Sequence, residues 1–536
     1  MSAANAAIRV PSIRAHHEPT PLDGAITPSA LSAASITAKI FWAFVGVHVV
    51  LWTVMPAMTH PNRPLDMVEM LYWGHGWQWG YYKHPPLPAW IAATIFEISA
   101  GAVWPLYLVA QLAVATSFWA AWKLAQDFLK PWPALCASLL LETCSYYNLA
   151  TADINNSIIL QPCWALSVLF LYRGITTKKL GYWAALGASL GLGMLAKYDM
   201  AVLVLAMIYL AARSETARLA LRTAGPYVAC LVSLAIFFPH LAWMIQNQFP
   251  SVQYALQRAD HSRSSIGHLV NPLEFLVAQA LALLPMLAIA YPLWRRRSRQ
   301  AAETNEQDTF QRDFLLVLVL GPLALDLLVS LCTGAKLQSM WGMPMWSFSG
   351  LMLIRYASAA IEPRVYRTVI ARCALVGCLI VVAVTARSVA LPFVRNKPSR
   401  IHYPGAQLAE VVKQRWQQRS DRPLTIVAGI WWPAANASLY LPSRPQVYDV
   451  LSPGFSPWSS DAALRREGGM IVWEKDADGA ICAQEVRRRF PDAEILPPFE
   501  LDWQTKANLP PVQFRIAIIR PSDEAKNVAP ERNVRR

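Results

Sequence analysis

Apolar runs long enough to cross a bilayer fill the first three quarters of the chain and then stop. A helix crossing the hydrocarbon core needs about 17–25 mostly apolar residues. Such runs fall at 38–58, 105–122, 133–150, 157–172, 182–196, 199–212, 223–245, 272–294, 314–332, 341–357 and 368–392. Stretch 87–103 is short, holds Pro88 and Glu97, and reads as a re-entrant or interface-lying helix. Beyond 393 the pattern becomes mixed and charged. There QLAEVVKQRW (407–416) and AQEVRRRF (483–490) have helical spacing, while LTIVAGIWW (424–432), GGMIVWE (468–474) and QFRIAIIR (513–520) read as strands. The pattern predicts a mainly α, polytopic membrane protein with about 11–13 transmembrane helices over 38–393. A small α/β domain follows at 394–525, with disordered tails at 1–37 and 526–536.

Composition narrows this further. Charged residues make up only 15% of the chain, against about 25% in soluble domains. The net charge of +14 would suit nucleic acid if it formed one basic face. Instead the basic residues stand in short clusters between apolar runs, as in RGITTKK (173–179), WRRRSRQ (294–300) and the stretches 213–222 and 355–372. They are topology signals, and no nucleic-acid partner is expected. Placing them in the cytoplasm puts loops 59–86, 151–156, 246–271 and 333–340, with everything after 393, on the outer side. No Cys/His cluster suggests a structural metal.

The chemistry-bearing residues then collect on one face. The first outer loop holds Asp66 and Glu69, followed by Lys83 and His84 in GYYKHPPLPAW; the next holds Asp153 in TADINN. The turn AKYDM adds Lys197 and Tyr198, the long loop after 246 adds Arg258 and Arg263, and TGAKLQSMW adds Lys336. Carboxylates there can serve as a general base, and cations at bilayer depth need a partner such as a lipid-linked phosphate. Each residue also has a plainer reading. Asp66 and Glu69 can be the solvated face of a short helix, Lys83 a snorkelling lysine, Asp153 a helix cap, and His84 a ring stacked on neighbouring aromatics.

The motifs LDMVEMLYW and GYYKHPPLPAW resemble those of the membrane glycosyltransferases of the GT-C type. That group includes protein O-mannosyltransferases, the lipid A aminoarabinose transferase and rhizobial lipopolysaccharide galacturonosyltransferases. TADINNSIILQPCW, GLGMLAKYDM, PHLAWMIQNQFPSV and AKLQSMWGMPMW resemble the last branch, so the likeness covers roughly residues 38–360. It implies the GT-C fold and an inverting transfer from a polyprenyl-phosphate sugar donor to lipid A, lipopolysaccharide or another envelope acceptor. By the same resemblance Asp66 is the catalytic base, Glu69 its acidic neighbour and Asp153 the second acid. Lys83 meets the donor phosphate, and His84, Lys197, Tyr198, Arg258, Arg263 and Lys336 are substrate-binding candidates. The family usually places the two acids of the first loop side by side, whereas Met67 and Val68 separate them here. No metal ligand set stands out, although some relatives use a divalent metal. Without a Walker motif or a convincing GxGxxG, no nucleotide cofactor is expected. A polyprenyl-lipid transporter or flippase, or a non-catalytic envelope-assembly protein, is the alternative reading.

Overall fold

A computed structural model describes residues 28–259, 266–295, 306–357, 362–395 and 397–522. The expected disordered tails therefore lie mostly outside the described residues, except that 28–37 are helical and open the first span. Helices α1 (Pro28–Thr59), α2 (Leu65–His75), α3 (Leu87–Ile98), α4 (Trp104–Phe128), α5 (Pro131–Leu139), α6 (Asn156–Thr177), α7 (Leu180–Ala196) and α8 (Met200–Arg213) come first. They are followed by α9 (Glu215–Ala220), α10 (Gly225–Gln246), α11 (Pro250–Ala259), α12 (Gly267–Arg295), α13 (Glu306–Thr333), α14 (Ser349–Ala357) and α15 (Pro363–Arg395). Among the described residues seven helices (α1, α4, α6, α10, α12, α13 and α15) are long and apolar enough to cross a membrane.

The expected eleven to thirteen crossings are thus not all separate long helices. The run 133–150 is a nine-residue α5 followed by three 3-10 turns between Leu140 and Thr151. The run 341–357 is likewise 3-10 up to Phe348 and α-helical only from Ser349. Most of both stretches is buried inside the bundle. An apolar run cannot by itself distinguish a lipid-facing span from a segment enclosed by other helices. At 17 and 14 residues, α7 and α8 are also short. Small residues let α7 lie close to its neighbours: a Cβ on Gly187 would come within 2.4 Å of the Ala229 carbonyl oxygen. Ser167 of α6 donates to Ser189 of α7 at 2.9 Å, the close small-residue contact that membrane helices favour. The reading of 87–103 as a non-spanning helix fits α3, whose 12 residues reach only about 18 Å.

After 397 the chain builds helices α16 (Gly405–Gln417), α17 (Trp431–Tyr440), α18 (Asp461–Glu467) and α19 (Ala477–Arg489) around strands β1 (Ile426–Gly429), β2 (Gln446–Asp449), β3 (Gly469–Glu474), β4 (Glu494–Ile495), β5 (Phe499–Leu501) and β6 (Val512–Ile519). The sheet order is β2-β1-β3-β6-β4, with β5 also paired to β6. β1 is parallel to β2 and β3, and β3 is antiparallel to β6. Strand alternation splits the core in two. Val427, Met470, Val472, Phe514 and Ile516 join the core continuous with the helical bundle, whereas Ile426, Ala428, Ile471 and Trp473 pack with Cys482 and Val486 of α19. The strand read over 424–432 ends at Gly429, and Trp431 and Trp432 already belong to α17.

This domain docks on α2, α3 and the aromatic corner after them. Tyr72 stacks on Trp431 at 5.8 Å, and Tyr82 stacks on Phe455 with centroids 3.5 Å apart. Tyr440 donates to Asn62 at 2.8 Å, and Arg444 pairs with Glu97 at 2.5 Å. Gly76 leaves room for Trp458, because a Cβ there would fall 2.6 Å from the indole ring. Gly76→Ala is therefore expected to loosen the docked domain by about 1–3 kcal/mol. Limited proteolysis between residues 395 and 405 checks this, with faster cleavage than in the wild type. Gly454→Ala, whose Cβ would meet nothing within 4 Å, is the matched control and should cleave at the wild-type rate.

Candidate functional site

Pro64 sits at the N-cap of α2 in an extended conformation, and the helix places Asp66 in its first turn and Glu69 on its buried side. With only 4% of its surface exposed, Glu69 is not part of a solvated helix face. After α2 the chain reverses at Trp77, which takes a positive φ of 44°, and returns through Tyr81 and Tyr82 to Lys83. Tyr81 stacks on Trp73 at 5.4 Å, and its N–H donates to the His84 carbonyl at 3.1 Å. A Cβ on Gly80 would come within 2.4 Å of the Trp243 ring, so the corner is wedged against α10. Pro85, Pro86 and Pro88 then start α3, where a missing N–H costs little.

The corner holds Lys83 against Glu69. Its ammonium donates to both carboxylate oxygens at 2.9 Å, with the rings of Trp73 and Tyr254 about 6 Å away. Burial and the neighbouring Asp66 push the Glu69 carboxyl up, and although Lys83 pulls it back it rests at about 7. Burial alone would lower Lys83, but Glu69 more than offsets this and holds the amine above its ordinary range. His84 is edge-on to Trp73 at 6.1 Å, as its stacking reading has it. Burial, together with Lys83, Lys197 and Arg258, keeps His84 well below the usual histidine range, so the ring is neutral at pH 7.

Asp153 reaches the same place from another part of the chain. It does not cap α6, because Asn155 takes that position and accepts from the N–H groups of Ser157 and Ile158 at 3.0 and 3.1 Å. Asp153 instead faces Asp66 and the backbone N–H groups of Asp66 and Met67, at the N-terminus of α2. Its Oδ1 is buried without a hydrogen-bond partner. Burial and the adjacent Asp66 raise Asp153 well above the carboxylate range. Asp66 is also raised by burial, but Lys83, Lys197 and Arg400 pull it back. Burial thus opposes ionisation at both carboxyls, and the nearby cations relieve it at Asp66.

Lys197 completes the cluster. Its ammonium lies 2.7 Å from Asp199, donates to Ser157 at 3.2 Å and sits 5.9 Å from the Trp341 ring. Tyr198 turns away into a separate relay. Its hydroxyl lies 2.8 Å from His240 Nε2, and His240 Nδ1 donates to the Trp79 carbonyl at 2.6 Å, so Tyr198 braces the aromatic corner. Arg258, on α11, is within electrostatic reach of Glu69 and His84, whereas Arg263 lies outside the described residues. Lys336 is not brought to this cluster by any described contact. It is half-exposed and pairs with Glu274 at 3.1 Å.

Sequence reasoning missed three charged residues near this cluster. Arg400, from the C-terminal domain, faces Asp66 and lies 4.7 Å from the Trp432 ring; nothing in the local sequence separates it from other surface arginines. Arg63 is buried 3.9 Å from the Tyr440 ring, with Nε and Nη1 unpartnered. Asp326 of α13 lies near Lys197 and Asp199, and a carboxylate inside the run LGPLALDLLVS was a usable signal. Among the described residues no group of three His, Cys, Asp or Glu side chains is placed to hold a metal ion. Asp66 faces the cations Lys83, Lys197 and Arg400, and Asp153 faces Asp66 and backbone N–H groups.

Comparisons with known proteins bear on this arrangement. The family model described as dolichyl-phosphate-mannose-protein mannosyltransferase matches residues 83–243, beginning at the corner lysine. The lipid A galacturonosyltransferase RgtD of Rhizobium johnstonii is 25% identical over 281 residues, covering 52% of this chain; the match spans only 57% of that protein. The lipopolysaccharide core galacturonosyltransferase RgtB of the same organism is 23% identical over 485 residues, covering 88% of this chain and 92% of that one. Among solved structures, ArnT from Cupriavidus metallidurans bound to undecaprenyl phosphate superposes with a TM-score of 0.62 at 14% identity. That match covers 90% of this chain and 98% of ArnT. The apo form of ArnT gives 0.59, covering 93% and 100%. The chain thus has the fold of ArnT and is similar in sequence to membrane glycosyltransferases of the GT-C type.

Proposed function

We propose that the protein moves a sugar from a polyprenyl-phosphate donor to an acceptor hydroxyl on lipid A or the lipopolysaccharide core, with inversion at the anomeric carbon. The observation that carries this reading is the Lys83–Glu69 corner set beside the Asp66–Asp153 pair. One side can receive a phosphate and the other a hydroxyl proton. The names of RgtD and RgtB make a galacturonosyl donor the first to test. RGITTKK closes α6 at the end opposite the Asp153 turn, which supports a cytoplasmic place for that end, and the lipopolysaccharide chemistry in the names of RgtD and RgtB supports a bacterial inner-membrane location. The site and the domain after 393 would then lie on the periplasmic face, with residues 38–393 forming the catalytic membrane domain.

In this mechanism the donor phosphate settles on Lys83, with Arg258 and Lys197 as further cationic support. As the bond to the anomeric carbon breaks, charge grows on the departing phosphate and fixed cations stabilise it without reorganising. Asp66 accepts the proton of the attacking hydroxyl, while Asp153, whose carboxyl burial holds above its ordinary range, stands beside it as a hydrogen-bonding group. Lys83, Lys197 and Arg400 draw Asp66 back toward its ionised form. Incubating the purified protein with a polyprenyl-phosphate galacturonate and a lipid A acceptor should release free polyprenyl phosphate. A donor left intact under those conditions sinks the reading.

Two variants separate the roles. Asp66→Asn removes the base and is expected to lower turnover by about 10²–10⁴-fold while the protein still inserts and elutes normally. Lys83→Ala loses a charge-assisted contact to the phosphate, so the donor KM should rise roughly tenfold or more. An effect confined to acceptor KM would contradict the phosphate role.

The pH dependence has a definite sign. Glu69 competes with the donor for Lys83 only while it is ionised. Its carboxyl sits at about 7, so as pH falls through that value Glu69 gains a proton and frees Lys83. Donor KM should therefore fall between pH 8 and pH 6. Glu69→Gln should remove that trend, and a wild-type donor KM that does not vary over this range would refute it.

A further inference from the structure

The bundle contains a cavity of about 430 Å³ that the transfer site does not use, within the roughly 300–1,000 Å³ of ordinary ligand sites. It lies between α1, the turn holding Glu142, and α15. Ile40, Phe44, Leu51, Ile370 and Val381 give it apolar walls, and Val47 and Cys378, both exposed on the bundle surface, form its mouth. These faces belong to two spanning helices, so the mouth opens sideways toward lipid.

Two features break the apolar lining. His48 Nδ1 lies 2.7 Å from Glu142 Oε2, and both side chains are almost wholly buried. His48 Nε2 is also buried and has no hydrogen-bond partner. An ionisable pair inside a span is costly and marks a functional position. With Nδ1 engaged by Glu142, Nε2 is the ring atom left to hydrogen-bond a ligand in the cleft. Gly377 makes room for the pair, since a Cβ there would fall 2.7 Å from Glu142 Oε1. The second feature is Arg367, which also lines the cavity and rests 4.5 Å from the Trp132 ring. It stands ten residues before Gly377, about 15 Å along α15, at the basic end of the bundle beside Arg364 and Arg372.

We propose that this cleft is a binding site for one anionic glycerophospholipid, distinct from donor and acceptor. Arg367 takes the phosphate, the ester region of the lipid reaches inward toward His48 Nε2, and one acyl chain fills the groove between α1 and α15. Charge complementarity supports this occupant: a basic pocket between spanning helices at a membrane surface suits a phosphate headgroup. The two polar groups at different depths match a headgroup followed by ester oxygens. Neither a bare hydrocarbon nor a zwitterionic headgroup uses both equally well.

Native mass spectrometry of the full chain tests this, after loading in nanodiscs holding equal phosphatidylglycerol and phosphatidylcholine with matched chains. Wild type should retain one phosphatidylglycerol under conditions that strip other lipids. Arg367→Gln should lower the preference for phosphatidylglycerol roughly tenfold, the ratio expected for one charge-assisted contact. Cys378→Trp and Val47→Trp, which fill the mouth from opposite walls, should each lose the retained lipid while keeping the wild-type melting temperature. Equal retention of both lipids by wild type, or an unchanged lipid complement in all three variants, overturns the proposal. A dimer that disappears on filling the mouth also overturns it, by assigning the cleft to a second copy of the chain.

Discussion

Charge taken out of water beside a bilayer has to be compensated, and the site end of this protein is arranged around that constraint. A buried carboxylate or ammonium loses more by desolvation than one contact restores unless several partners converge. Glu69 is almost fully enclosed and survives there because Lys83 donates to both of its oxygens. Lys197 is held in the same way by Asp199 and Ser157. Asp153 has no cation of its own, so burial works against its charge more than against that of Asp66, which faces Lys83, Lys197 and Arg400. The elements supplying these groups, α2, the corner after it, the turn before α6 and the turn before α8, must therefore meet.

The aromatic corner is the mechanical side of the same solution. Lys83 is long and flexible, and holding it in one geometry costs side-chain entropy. Trp73, Tyr81 and the three prolines remove much of the freedom of the chain that carries it. Gly80 lets that chain press against α10, and the relay from Tyr198 through His240 to the Trp79 carbonyl ties it to α8 and α10. The C-terminal domain closes the other side with Phe455, Trp458 and Trp431, and adds Arg400 above Asp66. The domain is thus both a lid over the corner and a source of charge for the site.

Much of this was legible because a membrane converts a linear pattern into a side assignment. Once the basic loops fix one face, Asp66, Glu69, Lys83, Asp153, Lys197 and Arg258 must share the other, and the structure brings these six together. What the pattern could not supply was pairing. Glu69 reads as a weaker copy of Asp66 in the sequence, yet it is the direct partner of Lys83. Lys336 has the same apolar context as Lys197, but Glu274 lies close enough to neutralise it. Arg400 was out of reach because its role depends on how a separate domain docks. The runs 133–150 and 341–357 misled for a related reason, since hydropathy records that a segment avoids water and not whether lipid or protein surrounds it.

A charge balance ties the arrangement to its proposed ligand. Among the described residues, Lys83, Lys197, Arg258 and Arg400 are the cations in electrostatic reach of the acidic cluster. Asp66, Glu69 and Asp153 oppose them, with Asp199 paired to Lys197 and Asp326 beside that pair. Protonating Glu69 removes one negative charge from this balance. A phosphate linking sugar to polyprenol carries one negative charge, and a free phosphate monoester carries about 1.5 to 2 at pH 7. Protonating Glu69 therefore suits the arriving donor phosphate and, still more, the departing one. A carboxyl poised at about 7 lets the cluster change its charge in step with the group that leaves. An acid with an ordinary carboxylate pKa would stay ionised near pH 7 and keep Lys83 occupied.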